Sequence, residues 1–133
     1  MAKIIEVSFP GGKRVDAKIG DTVIKTDQSV KNGGDASAAE PFQLFLASIA
    51  TCAGIYALEF CLARKLSLKG LSLKMICDRD PELKLYTRMT IELQLPEDFP
   101  EKMEKAIVRS MNLCSVKKHI NNAPEFIIQT TRG

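Results

Sequence analysis

The sequence predicts an α+β fold in a single domain covering residues 1–133. Three observations carry that reading. Pro41 to Leu58 contains no charged residue and is long enough for a helix buried inside the domain. Leu85, Met89, Ile91, Leu93 and Leu95 fall on one side of an alternating segment, with Lys84, Tyr86, Arg88, Glu92 and Gln94 on the other. Strand-like segments precede the apolar run, and the order strands, long helix, strands, helices, strand belongs to the α+β class. A length of 133 residues suits one domain and leaves a surface-to-volume ratio that favours dimerisation.

In chain order, "KIIEVSF" is apolar and β-branched, "PGG" marks a turn, and "RVDAKIG" alternates Val15, Ala17 and Ile19 with polar neighbours. "DTVIKTD" reads as a third strand, and "SVKNGGDASAAE" as a loop. Pro41 suits the first turn of a helix, where its missing N–H costs nothing. That helix is expected to run to about Lys65, with Arg64 and Lys65 favourable at its negative dipole end. It is apolar nearly all round, so it is expected to be a surrounded, central helix. Gln43, Ser48, Thr51 and Gly54 dilute the run and no second span follows, which argues against a membrane-spanning reading.

"LSLKMICD" places Leu71, Leu73, Met75 and Cys77 on one face and pairs with "KLYTRMTIELQL" through the turn "DRDPE". "PEDFPEKMEKAIVRSMN" predicts a second helix, with Pro100 in its first turn and Met103, Ile107 and Met111 buried. A short helix begins near Cys114, and "EFIIQTT" predicts a closing strand.

Charge and cysteine usage narrow the function classes. The formal net charge of +3 is mild, and basic residues are interleaved with acids, so neither nucleic acid nor an anionic membrane is an expected partner. "MAKIIEVSFPGGKR" lacks a sustained apolar stretch before a cleavage site, which predicts a cytoplasmic protein. Cys52, Cys61, Cys77 and Cys114 are too far apart for paired zinc ligands, and the single histidine does not complete a set, so neither metal nor cofactor is expected. A reducing compartment disfavours a standing disulfide and permits a transient catalytic one.

Helical geometry separates Cys52 from Cys61: the rotation between them ends half a turn out of phase, so they cannot pair. Cys61, between Phe60 and Leu62, and Cys77, on an apolar strand face, read as packing residues. Periodicity alone reads Cys52 as packing too, in a tight contact beside Ala50, Ala53 and Gly54, and reactivity there requires a cation from elsewhere. Cys114 sits at a helix start with Lys117, Lys118 and His119 following, which on residues alone makes it the better thiolate. His119 by itself reads as a surface histidine.

"EPFQLFLASIATC" followed far downstream by "LCSVKKHI" resembles the OsmC/organic hydroperoxide resistance family, and the order of elements agrees over nearly the whole chain. The resemblance implies an OsmC-like fold in an intertwined homodimer and a thiol peroxidase acting on organic hydroperoxides. It makes Cys52 the peroxidatic thiolate and Cys114 the residue that resolves its sulfenic acid as a disulfide. An external dithiol, often a lipoyl protein, then reduces that disulfide. The resemblance also assigns a cation from the N-terminal strands, for which Arg14 is the candidate, and apolar pocket walls from Phe42, Phe45, Ile49 and Tyr56. One branch of the family carries a glutamate ten residues before the first cysteine, paired with that arginine; here the position is Phe42, and Glu40 is the nearest substitute. The alternative is a non-catalytic module of the same fold that binds a hydrophobic ligand or partner in its interface pocket.

Overall fold

The computed structural model describes residues 2–133. Its elements are β1 (Glu6–Gly11), β2 (Arg14–Ile19), β3 (Thr22–Thr26), α1 (Pro41–Ala63), β4 (Ser72–Asp80), β5 (Leu85–Gln94), α2 (Glu104–Met111) and α3 (Ser115–Asn121). Short 3₁₀ turns occupy Val30–Asn32 and Glu101–Met103. The chain forms two compact units, one ending at Ala47 and the other comprising Ser48–Gly133.

In the N-terminal unit β1, β2 and β3 form an antiparallel sheet in that order. Gly11 and Gly12, both at positive φ, make the first turn and produce a register shift between Ser8 and Gly11. The β2–β3 pairing is regular from Val15↔Thr26 to Ile19↔Thr22, and the Thr26 hydroxyl donates to the Val15 carbonyl.

The C-terminal unit is built on the β4–β5 ribbon, whose pairing runs from Ser72↔Gln94 to Asp80↔Leu85. Leu73, Met75, Cys77, Met89, Ile91 and Leu93 are the partly buried positions predicted by alternation. Leu85, on the same side, is exposed at the turn end of the ribbon. Leu73, Ile91 and Leu93 pack with Leu95 and Phe99 around buried Ala53, Ala57, Phe60, Cys61, Ile107 and Met111. Ile107 is 1% exposed, and burial of such a side chain contributes about 1.5–3 kcal/mol.

Four expectations need correction. First, α1 ends at Ala63, not Lys65. Leu66 N–H donates to the Cys61 carbonyl and Lys65 N–H to that of Leu62, with Lys65 at φ 53, which is a Schellman stop. Arg64 does serve this end: it donates to the Phe60 carbonyl at 3.2 Å and lies 3.6 Å over the Phe60 ring.

Second, α1 is not surrounded within one chain. Only Ile49, Ala53, Ala57, Phe60 and Cys61 are buried, while Phe42, Phe45, Ile55 and Leu62 are exposed. In the C-terminal unit the ribbon and α2 cover the side carrying the small residues and leave the opposite side open. The helix is long and apolar enough to cross a membrane by length and composition.

Third, the helix predicted from "PEDFPEKMEKAIVRSMN" is divided, because Pro100 takes an extended cap conformation ahead of a 3₁₀ turn and α2 begins only at Glu104. Fourth, "EFIIQTT" is not a strand, and Phe126, Ile127 and Ile128 are exposed. A strand requires a neighbour for its N–H and C=O groups, and among the described residues β4 and β5 pair only with each other.

Candidate active site

Cys52 lies mid-way along α1, and Cys114 is the residue that caps the start of α3. The two thiols are hydrogen-bonded to each other, and neither is in a disulfide. Burial works against the Cys52 thiolate. It is overcome by the Cys114 S–H and by the backbone N–H groups of Val116 and Ser115, so the Cys52 thiol is held below its usual range. Cys114, 1% exposed, moves the other way: burial pushes it up, and donating its hydrogen to Cys52 pushes it further. The amide groups of Lys117 and Val116 offset this only in part.

This reverses the reading made from residues alone, in which Cys114 was the better thiolate. The positive start of α3 is present, but the Ser115 N–H serves the sulfur of Cys52 and the Val116 N–H is shared between the two sulfurs. The neighbouring basic side chains are engaged elsewhere. Lys117 donates to Asn112 Oδ1 at 2.7 Å, and His119 donates through Nδ1 to the Ser115 carbonyl at 2.7 Å.

Phe42, Phe45, Ile49, Cys52 and Tyr56 recur at alternating spacings of three and four, which places them along one stripe of α1. Ile49 is buried and Tyr56 half-buried. Phe42 and Phe45 are exposed, with ring centroids 5.5 Å apart.

Arg14 belongs to the N-terminal unit, where its Nη2 donates to Asp35 Oδ2 at 3.1 Å and its Nε to Ser37 Oγ at 3.3 Å. The acid that pairs with the arginine is therefore Asp35. Glu40, the substitute suggested by position, instead accepts from Asn32 Nδ2 at 2.9 Å. Behind Ser37 stands Asp27, 0% exposed, whose carboxylate accepts from Ser37 Oγ, from the Ser37 N–H at 3.0 Å and from the Gln28 N–H at 2.7 Å. These donors, the Ser37 hydroxyl first, together with the Asp35 N–H, lower its pKa to about 2 against the opposing effect of burial. Sequence reasoning missed both acids. Their only signal was a loop rich in Asp, Ser and Gly, residue types that bond back to their own backbone.

A family model for OsmC-like proteins matches residues 34–129, the span that includes both cysteines. The chain belongs to the OsmC-like family. No curated protein matches its sequence significantly. Among solved structures, this OsmC-like chain is similar to a Psychrobacter arcticus 273-4 protein assigned to the osmotic-stress-induced detoxification response, with TM-score 0.71 and 20% identity over 89% of this chain and 87% of that one. It is also similar to an organic hydroperoxide resistance protein OsmC from Legionella pneumophila, with TM-score 0.55 and 21% identity over 90% and 89% of the two chains. A Vibrio cholerae O1 biovar eltor organic hydroperoxide resistance protein, with captopril bound in one of its active sites, gives TM-score 0.54 and 15% identity over 92% and 88%. At these identities the likeness establishes the OsmC-like fold.

The remaining cysteines of the OsmC-like chain are packing residues. Cys61 is fully buried, and burial pushes its thiol up despite the nearby Arg64 charge. Cys77 sits opposite Met89 on the inner side of the ribbon. Among the described residues no three His, Cys, Asp or Glu side chains gather where a metal ion would sit.

Proposed function

We propose that this OsmC-like protein reduces organic hydroperoxides through Cys52 and Cys114. The observation that carries the reading is the hydrogen-bonded thiol pair, in which the cysteine of the family motif is the one stabilised as thiolate. The hydroperoxide-resistance role of the Legionella protein supports the same chemistry.

The Cys52 thiolate attacks the outer peroxide oxygen, the O–O bond breaks, and the alkoxide takes up a proton and leaves as alcohol. Cys52 is then a sulfenic acid. The Cys114 sulfur, losing its proton, attacks the Cys52 sulfur; an S–S bond forms and the hydroxyl departs as water. An external dithiol of the lipoyl type gives up two hydrogens, becomes a disulfide itself and returns both cysteines to thiols. By the family motif, Arg14 supplies the guanidinium for this chemistry, and Phe42, Phe45, Ile49 and Tyr56 supply apolar walls that favour alkyl peroxides over hydrogen peroxide. The working form is a cytoplasmic homodimer, in keeping with the exposed apolar side of α1.

The test is turnover of cumene hydroperoxide with dihydrolipoamide as reductant, followed by mass spectrometry of the oxidised protein. Wild-type protein consumes peroxide and loses two hydrogens across a Cys52–Cys114 bridge. Cys52→Ser falls to the uncatalysed rate, and Cys114→Ser stops at a sulfenic acid. Wild-type protein that leaves the peroxide untouched defeats the reading.

A further inference from the structure

We infer that Ser37 and Asp27 are positioning residues for Arg14, with the Ser37 hydroxyl carrying the orientation from a buried carboxylate to the guanidinium. The observation is a continuous chain of hydrogen bonds within the N-terminal unit: Arg14 Nε to Ser37 Oγ at 3.3 Å, then Ser37 Oγ to Asp27 Oδ2. A serine hydroxyl has one hydrogen to donate. Committing it to Asp27 leaves the oxygen able only to accept, and the donor that it meets is the Nε–H of Arg14.

The loop from Asp27 to Ala39 is folded around that carboxylate. Asp27 N–H donates to the Ala39 carbonyl at 3.2 Å, closing the loop, and Ala36 N–H donates to that of Gln28 at 3.0 Å. Ala36 takes the left-handed conformation at φ 52, which sets Asp35 and Ser37 on either side of it. Gly34 passes so close that an added Cβ would lie 2.1 Å from the Gln28 carbonyl oxygen and 2.7 Å from Asp27 Oδ1.

The Arg14–Asp35 ion pair does not hold a guanidinium by itself. Its side chains are 42% and 70% exposed, and ion pairs so open to water hold their partners weakly. The Ser37 arm ends instead on a side chain that is 0% exposed. Together the two arms engage the Nε and Nη2 edge, which directs the Nη1 donors outward for an oxyanion. Asp27 touches neither substrate nor Arg14 and acts through Ser37. The catalytic consequence rests on the role proposed for Arg14; the hydrogen-bond chain itself does not.

The experiment compares full-length wild type, Ser37→Ala, Ser37→Thr and Asp27→Asn by the hydrogen exchange of the Arg14 Nε–H in nitrogen-15 spectra, and by cumene hydroperoxide kinetics. We expect Ser37→Ala to speed Arg14 Nε–H exchange about tenfold and to lower kcat about tenfold with KM little changed, and Ser37→Thr to restore both. Asp27→Asn follows Ser37→Ala in direction. Unchanged Arg14 Nε–H exchange in both Ser37→Ala and Asp27→Asn overturns the inference whatever the kinetics. Faster exchange with wild-type kcat in Ser37→Ala overturns the positioning role. Faster exchange in a protein that never consumes peroxide sustains the hydrogen-bond chain and defeats the proposed function instead.

Discussion

Cys52 is stabilised as thiolate by one S–H and two backbone N–H groups, so its acidity depends on a neighbour whose hydrogen is replaceable. Because its pKa is lowered, reaction with iodoacetamide rises to half its maximum at a lower pH than it would for the same thiol without these donors. Cys114→Ala removes a donor, so that midpoint moves up; Cys114→Ser keeps an O–H donor, so it moves less. Peptide mapping of the labelled cysteine across a pH series measures both shifts, and equal midpoints in the two variants contradict this account. Part of the site was legible in sequence: "EPFQLFLASIATC" and "LCSVKKHI" single out the two sulfurs that the fold brings together. What was not legible is the direction of the N–H groups ahead of α3, since a helix start is local but its target lies on another element. The same holds for Arg14, whose partner is Asp35 of the loop and not Glu40 near the helix, a choice made by loop closure around Asp27.

At the scale of elements, α1 stops where Lys65 adopts φ 53 in a Schellman motif, a position at which glycine meets no steric penalty. Lys65→Gly is expected to raise stability by about 1 kcal/mol, read as a higher denaturation midpoint with an unchanged slope. A lower midpoint is the contrary result. The β4–β5 ribbon was legible in its pairing, because Met75, Cys77, Met89, Ile91 and Leu93 alternate with polar residues and only one side meets a core; the turn "DRDPE" was placed too early, since β4 runs to Asp80, and Leu85 is exposed. "EFIIQTT" was misread for a corresponding reason. β-branched composition favours an extended chain but carries no information about whether an edge is there to receive it. The division at Pro100 likewise reflects a local backbone choice that the apolar stripe of Met103, Ile107 and Met111 does not reveal.

At the scale of the whole molecule, Phe42, Phe45, Ile55 and Leu62 on α1 and Phe126, Ile127 and Ile128 near the C-terminus leave more apolar surface open than a solitary soluble chain ordinarily carries. Sedimentation equilibrium is expected to give twice the monomer mass of 14.7 kDa at micromolar concentration. Ile55→Asp, a substitution on the open side of α1, is expected to weaken the dimer at least tenfold. A wild-type protein that sediments as a monomer removes the proposed assembly while leaving the thiol chemistry untouched. The α+β order was legible at this scale because each unit draws on segments contiguous in sequence, ending at or starting from the Ala47–Ser48 step.

The amide groups of Ser115 and Val116 have one further property. They face the Cys52 sulfur and favour its thiolate. On the proposed mechanism, two-electron oxidation of that sulfur would remove the charge they favour, and with it that part of the hold of the first turn of α3 on Cys52. The same proposed event that makes Cys52 an electrophile would then loosen the turn that carries its attacker, Cys114.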